Sequence, residues 1–386
     1  MKNNKDRDSY FIGDTEFSRD EFLSFVQKNE NIAKRGQITG INGPFDGKIN
    51  SIYHFETKSS QDFIMRARIS KAFRYEGIIK EKILFPFLDG KLSAETPNLG
   101  DEVKKITEKK TGSYVFKESP LKPVDLQSLL YYDETKNEID YIYAFYDYLR
   151  GQSLYYPLES DRTERPFLIS TMKYKDIFRN MGKVLAQLHS IHFDGFYSDI
   201  REIGQPEHKK LWSELFQEQM DKEMTEAKQH DAIAPLIPKL EKFFTDRKPL
   251  VADEKEPVLF HNDFQSQNIL VREYEQEFEL KGVIDFDNWR IGPPAQDFVK
   301  IQYWTIQGDE TLNNALFDGY CSLRSTVNPK EMQQKIDIYK MLWFVLVYNF
   351  EMDKVMKNEL NDDVDQRFPA ADKYLAEMKK ILNKVD

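Results

Sequence analysis

The spacing of apolar residues changes along the chain and predicts different kinds of segment in turn. After Ser18, Phe22 and Val26 recur at helical spacing, and Ser18 with Glu21 forms the pattern of a capping box. The first residues of the chain are polar and are predicted to be irregular. The sequence therefore begins with an extension, residues 1–36, that carries one short helix.

Strand-like alternation follows this extension. Five segments alternate between apolar and polar residues or are rich in β-forming residues: 37–42, 50–56, 62–69, 126–132 and 139–149. A helix is predicted over about 73–84, and Pro86 should end it because the residue before a proline is pushed out of the helical region. Residues 89–122 are polar and rich in Lys, Pro and Gly, which indicates an insertion.

From Gly151 onward the pattern is mainly helical. Helices are predicted over 174–191, 209–229, 234–246, 311–323 and 329–356, with a short strand pair near 269–286. The fold class predicted is α+β. A small β-rich lobe spans 37–149 with its insertion at 89–122, and a larger helical lobe spans 150–386.

Composition and charge narrow the classes of function. The chain has 386 residues, 40% of them hydrophobic, and a net charge of −10 with a pI near 5.4. This acidic balance argues against binding to nucleic acid or to an anionic membrane, so neither partner is expected. The longest apolar run, 341–348, is too short to span a bilayer. Cys321 has no second cysteine to pair with, which suits a reducing cytoplasm.

The candidate chemistry lies in three polar residues around the predicted strand pair. Segments 269–272 and 281–284 are apolar and strand-like, and a symmetric hairpin between them would place Asn268 opposite Asp285 at its open end. Mg²⁺ prefers hard oxygen ligands, so Asn268 and Asp285 are predicted to hold it. Asp263, on the loop that leads into this end, is predicted to orient a substrate hydroxyl and accept its proton.

The spacing His-x-Asp-x4-Asn over 261–268 matches the catalytic loop of kinases, with Asp285 in the role of the metal-binding Asp of Asp-Phe-Gly. The alternative interpretation of these residues is an acidic turn beside an ordinary hairpin, without a catalytic role. Asp287 has two open roles, as a partner of a second metal ion or as a solvent-facing residue. His189 and His192 are interpreted as packing residues, and His261 and Asp297 as residues that order the loop.

These residues resemble the aminoglycoside phosphotransferase family, small-molecule kinases with a protein-kinase-like bilobal fold. The resemblance runs from about residue 37 to at least 300 and is most specific in 261–268 and 282–297. The second stretch is similar to the family's Ile-Asp-Phe/Trp followed by Gly-Asp-Pro-Ala-x-Asp, with Pro293 in place of the usual Asp. Residues 146–151 are similar to the hinge pattern Met-Glu-Tyr-Leu-x-Gly.

The resemblance also implies where ATP binds. Its adenine is expected against the hinge backbone of Asp147, Tyr148 and Leu149. The loop that contains Gly47 resembles the family's Gly-Gly-x-x-Asn loop, although an ordinary hairpin turn is the alternative. A P-loop is excluded there, because the glycine spacing, the residue after the lysine and the following strand pattern all differ from the Walker motif.

The family usually carries a phosphate-binding Lys on its third strand. Here that position is Arg66, whose guanidinium can bind phosphate bidentately, and Arg68 is the other candidate on the same face. The acidic partner on the following helix is predicted to be Glu81, with Glu76 as the alternative.

The function that the resemblance implies is an ATP- and Mg²⁺-dependent kinase. It would phosphorylate a hydroxyl of a small molecule: an aminoglycoside, amino-sugar, choline-like or sugar acceptor. The alternative is a non-catalytic, kinase-like binding or structural protein, similar to the spore-coat relatives of the family. A protein kinase is disfavoured, because no long activation loop and no Ala-Pro-Glu follow Asp285. The sequence indicates no particular oligomeric state.

Overall fold

The computed structural model describes residues 8–46, 50–69, 80–82, 84, 125–164, 172–203, 205–274, 277–356 and 368–383. Gly47, Glu76, the predicted insertion at 89–122 and most of the predicted helix at 73–84 lie outside the described residues. Residues 80–82 and 84 are helical, which agrees with the end of that predicted helix.

The strands account for two larger sheets and two short strand pairs. The strands are Ser9–Ile12 (β1), Thr15–Ser18 (β2), Ile38–Asp46 (β3), Asn50–Thr57 (β4), Phe63–Arg68 (β5), Asp125–Leu126 (β6), Leu129–Asp133 (β7), Tyr143–Asp147 (β8), Gln152–Ser153 (β9), Val258–Phe260 (β10), Ile269–Tyr274 (β11), Glu277–Val283 (β12) and Arg290–Gly292 (β13). The five-stranded sheet has the order β3-β4-β5-β8-β7 and the four-stranded sheet the order β6-β12-β11-β9. The pairs are β1-β2 and β10-β13.

Helices make up most of the second half of the chain, as the sequence predicts. The helices are Arg19–Gln27 (α1), Glu30–Ala33 (α2), Tyr155–Glu164 (α3), Met172–Leu188 (α4), Trp212–Ala227 (α5), Ile237–Ala252 (α6), Phe298–Lys300 (α7), Glu310–Leu323 (α8), Pro329–Met356 (α9) and Phe368–Leu382 (α10). A π-helix, Ile301–Ile306, continues α7. The predicted helix at 329–356 is confirmed with the same bounds. The helix predicted at 234–246 instead starts at Ile237 and continues to Ala252.

The chain divides into two compact units. The first unit comprises Met1–Ile169 and Ser266–Trp289, and the second comprises Ser170–Gln265 and Arg290–Asp386. The hairpin of β11 and β12 therefore belongs to the first unit. The lobe boundaries that the sequence predicts, at residues 36 and 149, stay predictions.

The described part of the N-terminal extension, residues 8–36, packs on the five-stranded sheet in the first unit. From Ser9 onward the chain is regular, because β1 and β2 form a hairpin that the sequence pattern did not predict. The Tyr53 hydroxyl fixes this hairpin by donating to Phe11 O (2.6 Å) and accepting from Phe11 N–H (3.0 Å). The capping box of Ser18 and Glu21 at the start of α1 is confirmed.

Aromatic residues of the extension and of the sheet form one buried cluster. Phe22 is fully buried, and its ring lies 4.9 Å from that of Tyr53 and 5.8 Å from that of Phe55. Phe55 in turn stacks on Phe63 at 4.8 Å. The extension is therefore part of the hydrophobic core of the first unit rather than an appendage.

The strand predicted at 126–132 is two strands. β6 pairs in parallel with β12, whereas β7 pairs antiparallel with β8 in the other sheet. A change of sheet within a few residues requires a break in the strand, so one continuous segment of apolar residues does not form one strand here.

Helices α4 and α8 of the second unit meet at their backbones. A Cβ on Gly319 would lie 1.8 Å from Arg179 O, and one on Gly182 would lie 2.0 Å from Leu316 O. Only glycine permits this approach. Among the described helices, none combines the length and apolar content needed to cross a membrane.

If the extension belongs to the core, truncating Phe22 must destabilise the protein. Phe22→Ala is expected to lower the free energy of unfolding by about 3–5 kcal/mol, measured in urea, because the cavity replaces a fully buried ring. Phe11→Ala is the matched control, since Phe11 is 44% exposed on the adjacent strand. Equal, small effects of both substitutions would contradict the packing of the extension.

Candidate active site

Arg66 lies at the centre of a buried polar cluster in the first unit. Its side chain is 7% exposed, and Nη1 donates to Asp285 Oδ1 at 2.9 Å. Nη2 donates to the Tyr146 hydroxyl at 2.9 Å and also contacts Glu81 Oε2. Asp287 Oδ2 lies 3.7 Å from Nη1. One guanidinium thus hydrogen-bonds two carboxylates and a phenol and lies close to a third carboxylate, which uses the fork geometry that Lys lacks.

Neighbouring strands and the following helix bring these residues together. Arg66 pairs with Ala144 and Ile64 with Tyr146, so Arg66 and Tyr146 are diagonal neighbours on one face of the sheet. Glu81 lies in the helical residues 80–82, and Trp289 Nε1 anchors this segment by donating to Lys80 O at 2.8 Å. The anchor holds Glu81 against Arg66.

Glu81 is fully buried. Burial raises the pKa of Glu81 to about 7, although the Arg66 guanidinium acts in the opposite direction. Tyr146 donates its hydroxyl to Glu81 Oε2 at 2.6 Å, while Glu81 Oε1 has no hydrogen-bond partner among the described residues. The ion pair is therefore held tightly on one carboxyl oxygen only.

The hairpin of β11 and β12 places the two predicted metal ligands. The predicted register is wrong by one residue: Ile284 N–H donates to Asn268 O at 3.0 Å, and Ile269 pairs with Val283. Near the turn the register differs from the predicted one by two residues, since Arg272 pairs with Glu279. The bulge between Leu270 and Val271 leaves one extra residue on β12 and so reduces the difference to one residue. Asp285 lies one position beyond the residue opposite Asn268, so both still lie at the same end of the hairpin.

Asp285 adopts an uncommon backbone conformation. Its φ of 66° and ψ of 58° lie in the left-handed region, which non-glycine residues occupy rarely. Such conformations persist only where the surroundings enforce them, and the ion pair with Arg66 is one such restraint. The Asp285 side chain is 37% exposed, so its carboxylate remains partly accessible.

The donor set of this hairpin end suits Mg²⁺. Asn268 and Asp285 offer an amide oxygen and a carboxylate, and Mg²⁺ typically takes one or two carboxylates plus waters and phosphates. In the ranges that the structure describes, no group of three His, Cys, Asp or Glu side chains is arranged to hold a metal ion. The pair would therefore supply part of a coordination shell rather than a closed metal site.

The predicted hinge residues begin at Asp147, the last residue of β8, and continue into the segment that follows it. Asp147 N–H donates to Ser128 O at 2.9 Å, and Tyr148 N–H donates to Asp62 O at 3.2 Å. Arg35 of the extension contacts the Asp147 carboxylate and donates to Asp62 O at 3.3 Å. Leu149 N–H has no hydrogen-bond partner within the described part of the chain. A cavity of about 490 Å³ adjoins these residues, lined by Arg35, Ser60, Gln61, Asp62, Ser128, Asp147, Tyr148, Leu149 and Arg150.

The second unit carries the Asp263 loop, which a buried carboxylate holds in place. β10 leads into this loop, and its partner β13 leads to Asp297. Asp297 accepts hydrogen bonds from His261 N–H and Asn262 N–H, each at 2.7 Å. His189, interpreted from the sequence as a packing residue, is buried and its Nε2 lies 3.2 Å from Asp297 Oδ2. The role of His261 in ordering the loop stays a prediction.

His189 is fully buried beside Asp297. Burial lowers the pKa of His189, so its ring is neutral near pH 7, with Nε2 as the donor to the carboxylate. Its Nδ1 then accepts from the Tyr320 hydroxyl at 2.9 Å. His189 therefore links the Asp297 carboxylate to the Tyr320 hydroxyl within the second unit.

Asp263 itself receives two side-chain donors on one oxygen. Lys300 Nζ lies 2.9 Å from Oδ1, and Gln265 Nε2 donates to the same atom at 3.1 Å. Asp263 N–H donates to His261 Nδ1 at 3.2 Å. Burial alone would raise the pKa of Asp263, but the Lys300 ammonium, with smaller contributions from His261 and Gln265, lowers it, and that pKa lies below its usual value. Asp263 is therefore ionised near neutral pH.

Sequence reasoning missed three of these contacts. It did not identify the Tyr146 hydroxyl, Arg35 or Lys300 as partners of the candidate residues. Lys300 offered a signal, because it follows Asp297 by three residues and such spacing places both side chains on one helix face. Tyr146 and Arg35 gave no local signal, since their partners are distant in the chain.

Comparison with known proteins assigns the chain to a family. The sequence model of the phosphotransferase enzyme family, APH, matches residues 102–333, which is more than half of the chain. The chain belongs to this family. The match confirms the resemblance seen in the sequence. Of the two hypotheses, a phosphotransferase and a non-catalytic binding or structural protein, the enzyme is the correct one. No curated protein sequence matches it significantly.

Solved structures share the fold of this phosphotransferase at low sequence identity. A thermostable mutant of the aminoglycoside phosphotransferase APH(4)-Ia is 14% identical over 92% of this chain and 97% of its own, with a TM-score of 0.56. The Plasmodium vivax ethanolamine kinase is 12% identical over 94% and 90%, with a TM-score of 0.56. The amicoumacin kinase hAmiN in complex with AMP-PNP and Ca²⁺ is 12% identical over 94% and 96%, with a TM-score of 0.51. The α+β, protein-kinase-like fold predicted from the sequence is confirmed.

The buried ion pair of this phosphotransferase predicts a specific pattern of stability. Arg66→Met should lower the free energy of unfolding by about 3–5 kcal/mol, because it leaves Glu81 buried without its cation. The double variant Arg66→Met/Glu81→Met should recover most of that loss. Arg68→Met, on the same strand, is the control and should cost about 1 kcal/mol or less.

The stability that Arg66→Met loses should depend on pH. A carboxyl whose pKa is raised in the folded state contributes stability below its unfolded pKa, and loses it as pH rises through the folded pKa. Because Glu81 behaves in this way and Arg66→Met removes the opposing cation, the destabilisation should grow from pH 5 to pH 8. Denaturant titrations at both pH values measure it. A loss that is constant with pH, or no rescue in the double variant, would contradict the ion pair.

Proposed function

We propose that this phosphotransferase transfers the γ-phosphoryl group of ATP to a hydroxyl of a small molecule, in a Mg²⁺-dependent reaction. The acceptor would be an aminoglycoside, amino-sugar, choline-like or sugar compound. The observation that carries the proposal is the contact of Arg66 with both Glu81 and Asp285, because kinases use a strand cation paired with a helix Glu to hold the phosphates.

The nucleotide would bind through two groups of residues. Arg66, oriented by Glu81, would contact the α- and β-phosphates, since a guanidinium can bind phosphate oxygens bidentately. The hinge residues Asp147, Tyr148 and Leu149 would contact the adenine through their backbone. Leu149 N–H has no hydrogen-bond partner among the described residues, and the Asp147 carboxylate already binds Arg35. Both observations support a contact through the backbone. Gly47 would lie in the loop that covers the phosphates.

Asn268 and Asp285 would hold Mg²⁺ at the end of the β11–β12 hairpin. When bound, Mg²⁺ would neutralise developing charge on the transferred phosphoryl group. Asp285 would exchange part of its contact with Arg66 for this role, and the partial exposure of its carboxylate supports that exchange. Asn268 would contribute its amide oxygen.

Asp263 would act as the base. It would orient the acceptor hydroxyl and take its proton while the acceptor oxygen forms a bond to the γ-phosphorus and the bond from that phosphorus to the β,γ-bridging oxygen breaks. The products are ADP and a phosphate monoester. The ionised state of Asp263 and its position five residues before Asn268 in the chain support this role.

Features of other proteins and of this sequence support the remaining choices. The aminoglycoside phosphotransferase and the ethanolamine kinase point to a small-molecule acceptor, and the amicoumacin kinase bound to AMP-PNP points to an adenine nucleotide. The single Cys321 supports a cytoplasmic location.

A coupled ADP-release assay with Mg²⁺-ATP, against a broad panel of small hydroxyl compounds, tests the function directly. Release that depends on one acceptor supports it, and release with none of them counts against it.

The two key carboxylates should separate by role. Asp263→Asn should lower the transfer rate by roughly 10²–10⁴, the usual contribution of a general base, with little change in Mg²⁺-ATP affinity. Asp285→Asn should weaken Mg²⁺-ATP binding and slow transfer together. Calorimetry and the transfer rate measure both quantities.

Asp318→Asn is the control for this pair, because Asp318 is exposed on α8 and outside the proposed machinery. It should leave affinity and rate unchanged. Near-full turnover in Asp263→Asn on a verified acceptor would show that Asp263 is not the base.

A further inference from the structure

The cationic side chain of Lys300 makes a direct contact with Asp263. Its ammonium lies 2.9 Å from Asp263 Oδ1, and the two side chains are 19% and 20% exposed. Ion pairs on an open surface contribute little, because water and salt screen them. This pair is mostly shielded, so its attraction is larger than that of an exposed pair.

Helix α7 holds the Asp263 loop at two points. Asp297, the residue before α7, accepts hydrogen bonds from the backbone N–H groups of His261 and Asn262. Lys300, the last residue of α7, donates to the Asp263 carboxylate. Asn262, which lies between His261 and Asp263 in the chain, has a φ of 60°, so this short loop is held in an uncommon backbone conformation. The backbone and the side chain of the loop are thus fixed by the same short element.

We propose that Lys300 is a positioning residue of this phosphotransferase, whose ammonium keeps the Asp263 carboxylate in one orientation and in its ionised form. The inference rests on the proposed role of Asp263 as the base. Lys300 and Gln265 both bind Oδ1, which fixes the rotation of the carboxyl group. A base that is oriented by a further group is the usual arrangement where a side chain must accept a proton at a defined place.

The charge on Lys300 sets the sign of the expected pH dependence. The groups that act on Asp263 are the Lys300 ammonium from α7, and the His261 ring and the Gln265 amide from its own loop. Removing the ammonium leaves burial as the main influence, and burial favours the protonated acid. The Asp263 carboxyl should then titrate at higher pH, and the protonated form cannot accept a proton from the acceptor.

The experiment compares wild type, Lys300→Met and Lys300→Arg. With ¹³C-labelled aspartate, assigned by the signal lost in Asp263→Asn, the Asp263 carboxyl should titrate at higher pH in Lys300→Met than in wild type. Lys300→Arg should restore the wild-type titration, because it keeps the positive charge. His261 is present in all three proteins, so the comparison isolates Lys300.

Activity provides the second measurement. In Lys300→Met, kcat near pH 7 should fall by about 10-fold, its acid limb should move to higher pH, and KM for ATP should change by less than about two-fold. Lys340→Met is the matched control, since Lys340 is 17% exposed in the same unit and donates to Gln302 Oε1 instead. It should leave both the titration and the pH profile unchanged.

The outcomes separate this inference from the proposed function. An Asp263 titration that is the same in Lys300→Met and wild type overturns the role of Lys300, even if the enzyme transfers phosphate. A titration that moves as expected supports the hold of Lys300 on Asp263. If wild type then transfers phosphate to no acceptor, the proposed function fails while the contact between Lys300 and Asp263 stands.

Discussion

The buried guanidinium of Arg66 is the constraint on which the candidate nucleotide site depends. A charge that is taken out of water costs several kcal/mol unless partners replace the solvent. The partners here are Glu81, Tyr146 and Asp285, which come from the helical residues 80–82, from β8 and from the end of the hairpin. Satisfying one side chain therefore fixes the mutual positions of three elements that are distant in the chain.

The second unit uses the same physical solution around a carboxylate. Asp297 is buried and accepts two backbone N–H groups, and its neighbours His189 and Tyr320 complete a hydrogen-bonded chain. In each unit, one buried charge thus holds a backbone segment with a left-handed non-glycine residue, Asp285 or Asn262. Phosphoryl transfer depends on positioning more than on covalent chemistry, so rigidly held carboxylates suit that reaction.

The sequence predicted features that depend on local periodicity or on motif spacing. The helix Pro329–Met356 and the capping box of Ser18 follow from local patterns, and the kinase-like spacing at 261–268 led to the family. Features that depend on distant contacts were missed. The strand β1 has only four residues, and its partner Tyr53 lies far along the chain, so its pattern is too short to predict a strand. The register of Asn268 differs from the predicted one by one residue, because β11 and β12 continue to the pair Tyr274 and Glu277 and contain a bulge, and alternation alone reveals neither feature.

The central claim is that Arg66, Asn268 and Asp285 together form the site for a nucleotide and its metal ion. The most direct measurement is a crystal structure of the protein with Mg²⁺ and a non-hydrolysable ATP analogue. The account predicts a metal ion about 2.0–2.1 Å from oxygens of Asn268 and Asp285, and Arg66 in contact with a phosphate. An analogue bound elsewhere, or bound with its metal ion away from both residues, would contradict it.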